Sequence, residues 1–228
     1  MITIKYIIKH IAYCSLLKTL YFNFKCFPFS IARKLPVYVG RNVVLTRLEG
    51  NFAIQTSNIC HGMIRIGFRD MAIQDLNAIR TVVNVHRGGR ITFHGKAFIG
   101  GGTKFYIKGK LTIGNDVYIS LNSTIIAHDS ITIGDDSTIG WDTLLMDTEF
   151  HRVVSIETGK EYPMMQPIEI GKHCWICNGV HIMKGSIIPN DVIVASESLV
   201  NKKMDVPSYS MIAGVPAELK KKNIKHIR

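Results

Sequence analysis

Ten aliphatic residues recur on a six-residue beat through the second half of this chain: Ile113, Ile119, Ile133, Ile139, Ile170, Ile176, Ile182, Ile188, Val194 and Val200. Four places after nine of them stand Val117, Ser123, Ser137, Thr143, Cys174, Val180, Ser186, Val192 and Ser198, each small or β-branched. A helix of 3.6 residues per turn would scatter such a column around its surface, whereas short strands joined by tight corners and stacked in coils keep it on one side. The repeat therefore predicts a parallel β-helix whose core is the column of Ile and Val, buried only because neighbouring coils stack.

Composition sets the bounds. In 228 residues with 46% hydrophobic content there is room for one elongated domain with appendages. Five cysteines with no spacing of a disulfide framework, in a chain without the pattern of a secretory signal, point to a reducing, cytoplasmic setting. The net charge of +11 is placed at the ends: no Asp or Glu precedes Glu49, and none follows Glu218. Such ends favour phosphates or an anionic leaflet, or serve as a solvated basic face. Nucleic acid is not expected as a partner, because the N-terminal aromatics cluster with aliphatics instead of interleaving with a basic stripe.

Three segments follow. Residues 1–36 form a basic N-terminal segment, and residues 2–25 within it read as an amphipathic helix. Lys5, Lys9 and Lys18 interrupt its apolar run, so it is not expected to span a membrane. It either lies on a membrane surface, at the inner face, or caps the open first coil; both roles are compatible. Residues 37–213 form the β-helix. Val39-Gly40, Ile66-Gly67, Ile99-Gly100 and Ile107-Lys108-Gly109 mark early coils, so the solenoid starts well before residue 111. Residues 214–228 are a basic tail. The long interruption, residues 147–166, can leave a solenoid only as a loop from one corner, and its polarity marks it as a functional loop.

His151 stands at the base of that loop. Its imidazole, with an ordinary pKa of about 6.5, can accept a proton from a hydroxyl at neutral pH, and Asp147 four residues earlier is the expected orienting group. Cys174 and Cys177 form a C-x-x-C, but the hexapeptide frame accounts for both positions and no second pair exists, so no metal site is expected.

The coil IGDDSTIGWDTLLMDTEFH, the return PIEIGKHCWICNGVHIMKGSIIPNDVIVASESLVNK and the closing VPSYSMIAGVPAELKK resemble the left-handed β-helix, hexapeptide-repeat acyltransferases. The resemblance is nearest to sugar O-acetyltransferases similar to galactoside and maltose acetyltransferase, and it covers roughly the C-terminal half. The leader KTLYFNFKCFPFSIARKLP is similar to polysaccharide-associated members.

The resemblance implies a mainly β, left-handed parallel β-helix with an N-terminal helical segment, assembled as a homotrimer with acetyl-CoA bound between subunits. On it His151 is the general base, and Trp175, Asn178 and Ser196 line the acyl end and pantetheine arm. Gly214, Val215 and Pro216 turn against the adenine; Lys202, Lys203 and Lys220 stand near the phosphates. Ser120 and Asn122 face a sugar or oligosaccharide acceptor. Two positions depart from the pattern: Cys177 stands where glycine is usual, and Glu218 where a basic residue often follows the A-G-V-P turn. The implied activity is O-acetylation of a sugar hydroxyl in surface polysaccharide biosynthesis. The alternatives are N-acetylation of a nucleotide-linked amino sugar and a β-helix scaffold without catalysis.

Overall fold

The computed structural model describes residues 13–69, 75 and 78–227. The chain winds into the left-handed parallel β-helix that the repeat and the resemblance predict. The first six coils each contribute a short strand to each of three faces. Face one stacks nine strands from Val37–Val39 to Ala217–Lys222, face two stacks seven from Val43–Leu48 to Leu199–Val200, and face three stacks six from Asn51–Ile54 to Ile187–Ile188. Pairing is parallel and in register, as in Ile119↔Ile139 and Ile139↔Ile176, so like positions of successive repeats sit on top of one another. The early coils occupy strands at Val37–Val39, Ile64–Phe68 and Ala97–Gly100, well ahead of residue 111.

All ten residues of the aliphatic column are buried, each at most 2% exposed. The second column is buried for a different reason. Where the column carries Ser or Thr, the hydroxyl can donate to a backbone carbonyl of the coil below. Ser123 Oγ donates to the carbonyl of Gly140 over 3.0 Å, Ser137 Oγ to that of Gly171 over 2.9 Å, and Ser186 Oγ to that of Val200 over 2.9 Å. Left unpaired, each buried carbonyl would cost about 1–3 kcal/mol.

The edge between faces three and one has its own ladder. Asn115 Oδ1 accepts from the N–H of Lys96, Asp135 Oδ1 from that of Asn115, and Asn190 Oδ1 from that of Lys172, at 2.8–3.0 Å. The glycine of each I-G pair makes this stacking possible: a Cβ on Gly134 would come within 2.6 Å of the Gly171 backbone.

The first coil is closed by helix α1, Leu16–Cys26, which is followed by the short α2, Phe29–Ala32. The N-terminal half of the helix expected over residues 2–25 falls on residues outside those described. Among the described residues no helix is long and apolar enough to cross a membrane. At the other end Ala217–Lys222 turns back antiparallel on Ser210–Gly214.

Candidate active site

The loop leaves the edge between faces two and three. Its root is closed by a bridge between Thr148 and Met165 and by the Glu149 N–H donating to the carbonyl of Met164 over 3.0 Å. Farther out it becomes a two-stranded ribbon, Val153–Val154 against Glu161–Tyr162, held by a two-pronged Arg152–Glu161 ion pair at 2.7 and 2.8 Å.

His151 lies exposed on the outgoing leg with Nδ1 3.2 Å from the carbonyl of Glu149. A carbonyl can only accept, so Nδ1 carries the hydrogen and Nε2 is left as the basic nitrogen. The tautomer that base catalysis requires is thus fixed by the backbone two residues away.

Asp147 does not orient it, contrary to the expectation from the i, i+4 spacing. Its carboxylate is fully buried and accepts from the N–H of His128 over 2.7 Å and of Asp129 over 2.9 Å. Burial pushes its pKa up, against the pull of those backbone N–H groups. Asp147 pins the corner of the coil above. The His128 ring in turn packs edge-on to Phe150, centroids 5.0 Å apart, and Phe150 holds a left-handed φ of 61°.

Lys184 completes the root. Its Nζ lies 2.7 Å from Glu149 Oε2 and also donates to the carbonyl of Pro163, tying both legs of the loop. Neither Lys184 nor Phe150 was expected from the sequence. Lys184 was accessible through register alone, since Met146 stacks on Met183 and residue 147 therefore on residue 184.

The residues expected to hold the donor gather at a different edge, between faces one and two. Ser196 Oγ donates to Asn178 Oδ1 over 2.8 Å, and the N–H of Gly214, one coil on, meets Ser198 Oγ at 3.2 Å. Pro216 is exposed in the adjoining turn. Cys177, in place of glycine, keeps the coil bonds of its neighbours: its N–H donates to the carbonyl of Val194, and its carbonyl accepts from Thr143. Asn122 occupies the same edge, its φ of 57° suited to an asparagine corner. Trp175 points outward from face one between Thr138 and Ile193, with the His226 ring 5.5 Å from its own.

Three expected placements do not hold within one chain. Ser120 is only 4% exposed, tucked in at its corner away from a sugar at the surface. Lys202 and Lys203 follow Leu199–Val200 onto the edge that carries the loop, Lys203 bridging to Ile187, and so stand apart from Gly214 and Pro216. Lys220 is exposed on the antiparallel strand and pairs with Glu218 at 3.4 Å, which offsets part of its charge. His151 and the Asn178–Ser196 pair are likewise separated by the width of face two.

A cleft of about 620 Å³ lies at the third edge, lined by Asp116, Asp136, His173, Asp191, Tyr209 and His226 among others. His173 bridges Asp136 at 3.4 Å and Asp191 at 3.5 Å. None of the residues expected to hold donor or acceptor lines this cleft.

No family model matches the chain. A polysialic acid O-acetyltransferase of Escherichia coli O1:K1 / APEC is 30% identical over 62% of this chain and 43% of its own length. A putative lipopolysaccharide-biosynthesis O-acetyltransferase of Escherichia coli K12 is 26% identical, over 70% of this chain and 83% of its own length. Galactoside O-acetyltransferase of the same strain is 31% identical, over 50% of this chain and 55% of its own length. The chain thus spans about half the length of two of these relatives. They are the sugar and polysaccharide O-acetyltransferases that the motifs resemble.

Proposed function

We propose that this chain is an acyltransferase that moves the acetyl group of acetyl-CoA to a hydroxyl of a surface polysaccharide or its precursor, with His151 as general base. The observation that carries the reading is the His151 tautomer. Nδ1–H is committed to the Glu149 carbonyl, so in the neutral ring Nε2 is the nitrogen with the free lone pair, on an exposed loop whose root is tied down. Nε2 takes the proton of the acceptor hydroxyl as its oxygen attacks the thioester carbonyl, and returns it to the departing CoA sulfur. The thioester is activated enough that no covalent acyl-enzyme is needed. Relatives named as O-acetyltransferases of polysialic acid, lipopolysaccharide and galactosides support the class of acceptor.

The separation of edges supports a homotrimer. A pocket that uses both His151 and the Asn178, Ser196, Gly214 and Pro216 edge forms when the loop edge of one copy lies against the donor edge of the next. Lys202 and Lys203 then approach the donor phosphates from the neighbour, with Trp175 beside the acyl end once the His226 ring moves off it.

The test is calorimetric titration with acetyl-CoA, paired with an acceptor screen and sedimentation. Binding near one site per chain, a trimeric mass, and a fall of about 10²–10⁴ in kcat for His151→Ala with donor affinity retained are expected. Absence of donor binding, or His151→Ala transferring acetyl at the parent rate, would overturn the reading.

A further inference from the structure

Helix α1 packs Phe22 into the core but leaves most of its other apolar side chains outside. Its buried positions include two polar residues, Thr19 and Asn23, while Leu16, Leu17, Leu20, Tyr21 and Phe24 are exposed, Leu17 by 80%. The inward polarity has a cause. The first strand of face one has an open edge, and Asn23 meets it with both ends of its amide: Nδ2 donates to the carbonyl of Val37 over 2.7 Å, and Oδ1 accepts the Val37 N–H at 3.2 Å. Thr19 Oγ1 accepts the Val39 N–H at 3.0 Å. Capping the solenoid therefore uses Thr19, Asn23 and Phe22 and leaves the rest of the apolar side uncovered by the described residues.

That apolar side continues onto α2, where Phe29 is 71% exposed and lies 6.1 Å from the Phe24 ring. Lys25, Arg33, Lys34 and Arg41 are exposed around it, and no acidic residue occurs before Glu49. A second copy of the same face would set these cations against their own kind. An anionic bilayer answers both features at once, taking the leucines and aromatic rings among its acyl chains and the cations at its phosphates. We propose that the outer face of α1 and α2 docks the protein on an anionic phospholipid surface, while the inner face closes the β-helix. The proposal does not depend on the enzymatic reading.

The test is flotation of the full chain with phosphatidylcholine vesicles with and without phosphatidylglycerol. Binding to the anionic vesicles, weakened by salt, is expected. Leu17→Glu/Phe29→Glu should weaken it at least about tenfold, and Arg33→Glu/Lys34→Glu should remove the preference for phosphatidylglycerol. Both pairs are exposed, so an unchanged melting temperature is expected and serves as the folding control. Vesicle binding that Leu17→Glu/Phe29→Glu leaves intact would overturn the proposal. So would a smaller sedimenting mass in that variant without any vesicle effect, which would assign the face to a second copy. Deletion of residues 1–12 that creates binding absent from the full chain would assign the face to that segment and overturn it equally.

Discussion

Lys184 holds Glu149 across the base of the loop, Nζ to Oε2 at 2.7 Å, with only 15% of the lysine side chain exposed. The Glu149 carbonyl is the group that fixes His151, so the ammonium acts on the proposed base through one intervening residue. Lys184→Met keeps the stem and removes the tie. Acetyl transfer should fall about tenfold in kcat with little change in donor affinity, since a small misplacement of a catalytic group is costly. Proteolysis in the ribbon between Arg152 and Glu161 should quicken. A variant with parent kcat and faster proteolysis would show that the tie secures the loop without serving the base.

His86 and His128 should make the fold acid-sensitive. Arg47 Nη1 lies 2.9 Å from His86 Nδ1; guanidinium can only donate, so Nε2 carries the hydrogen and is buried without a hydrogen-bond partner among the described residues. His128 Nε2 is also buried without one, and the Tyr106 ring lies between the two imidazoles. Burial first, then Lys108 with Arg47 beside His86, holds both imidazoles below their ordinary value, and Glu49 opposes this only at His86. With a depressed native pKa the unfolded chain binds more protons, so stability is full above about pH 6.5 and is lost as pH falls through the native values. His86→Phe/His128→Phe should flatten urea midpoints measured between neutral and mildly acidic pH; an unaltered slope would place the acid response elsewhere.

Replacing Asn23 by Leu keeps the branched shape, adds some bulk and strands the N–H and carbonyl of Val37. A loss of about 2 kcal/mol or more is expected in equilibrium unfolding, against a few tenths for an exposed change such as Leu17→Ser. Equal effects would contradict the capping role.

The cysteines should separate by reactivity. Burial pushes Cys26 up to about 12 and Cys174 up to about 11, and raises Cys177 against a hydrogen bond from Ser196. Cys60 is exposed. A thiol-disulfide reagent at mildly alkaline pH should find Cys60 first and reach Cys26 and Cys174 only in denaturant. Rapid labelling at Cys174 would mean that the coil opens, because its side chain lies in the core.

The repeat made the solenoid legible because a column of Ile and Val has one use, and every member is buried. The position of the loop and of His151 followed from where the beat breaks. Asp147 was misjudged because spacing along the chain says little about proximity where a strand becomes a loop: the carboxylate turns into the coil while residue 151 has already left it. Ser120 was misjudged because a corner residue directly after a column isoleucine stays under the next coil. Periodicity also showed that α1 is two-sided without showing which side faces in. That choice lies with the open edge of Val37–Val39, whose hydrogen-bonding groups Thr19 and Asn23 meet while Phe22 between them enters the core.

The reversal of Ala217–Lys222 against Ser210–Gly214 has a meaning beyond this chain's own stability. A stack of identical parallel rungs presents at each end the template for one more rung, and so invites end-to-end growth into fibres. On face one, Thr19 and Asn23 consume the first template and an inverted strand spoils the last. On that face the described residues carry a stop at each side of the stack as definitely as they carry the period, and the stops limit how far the repeat can grow.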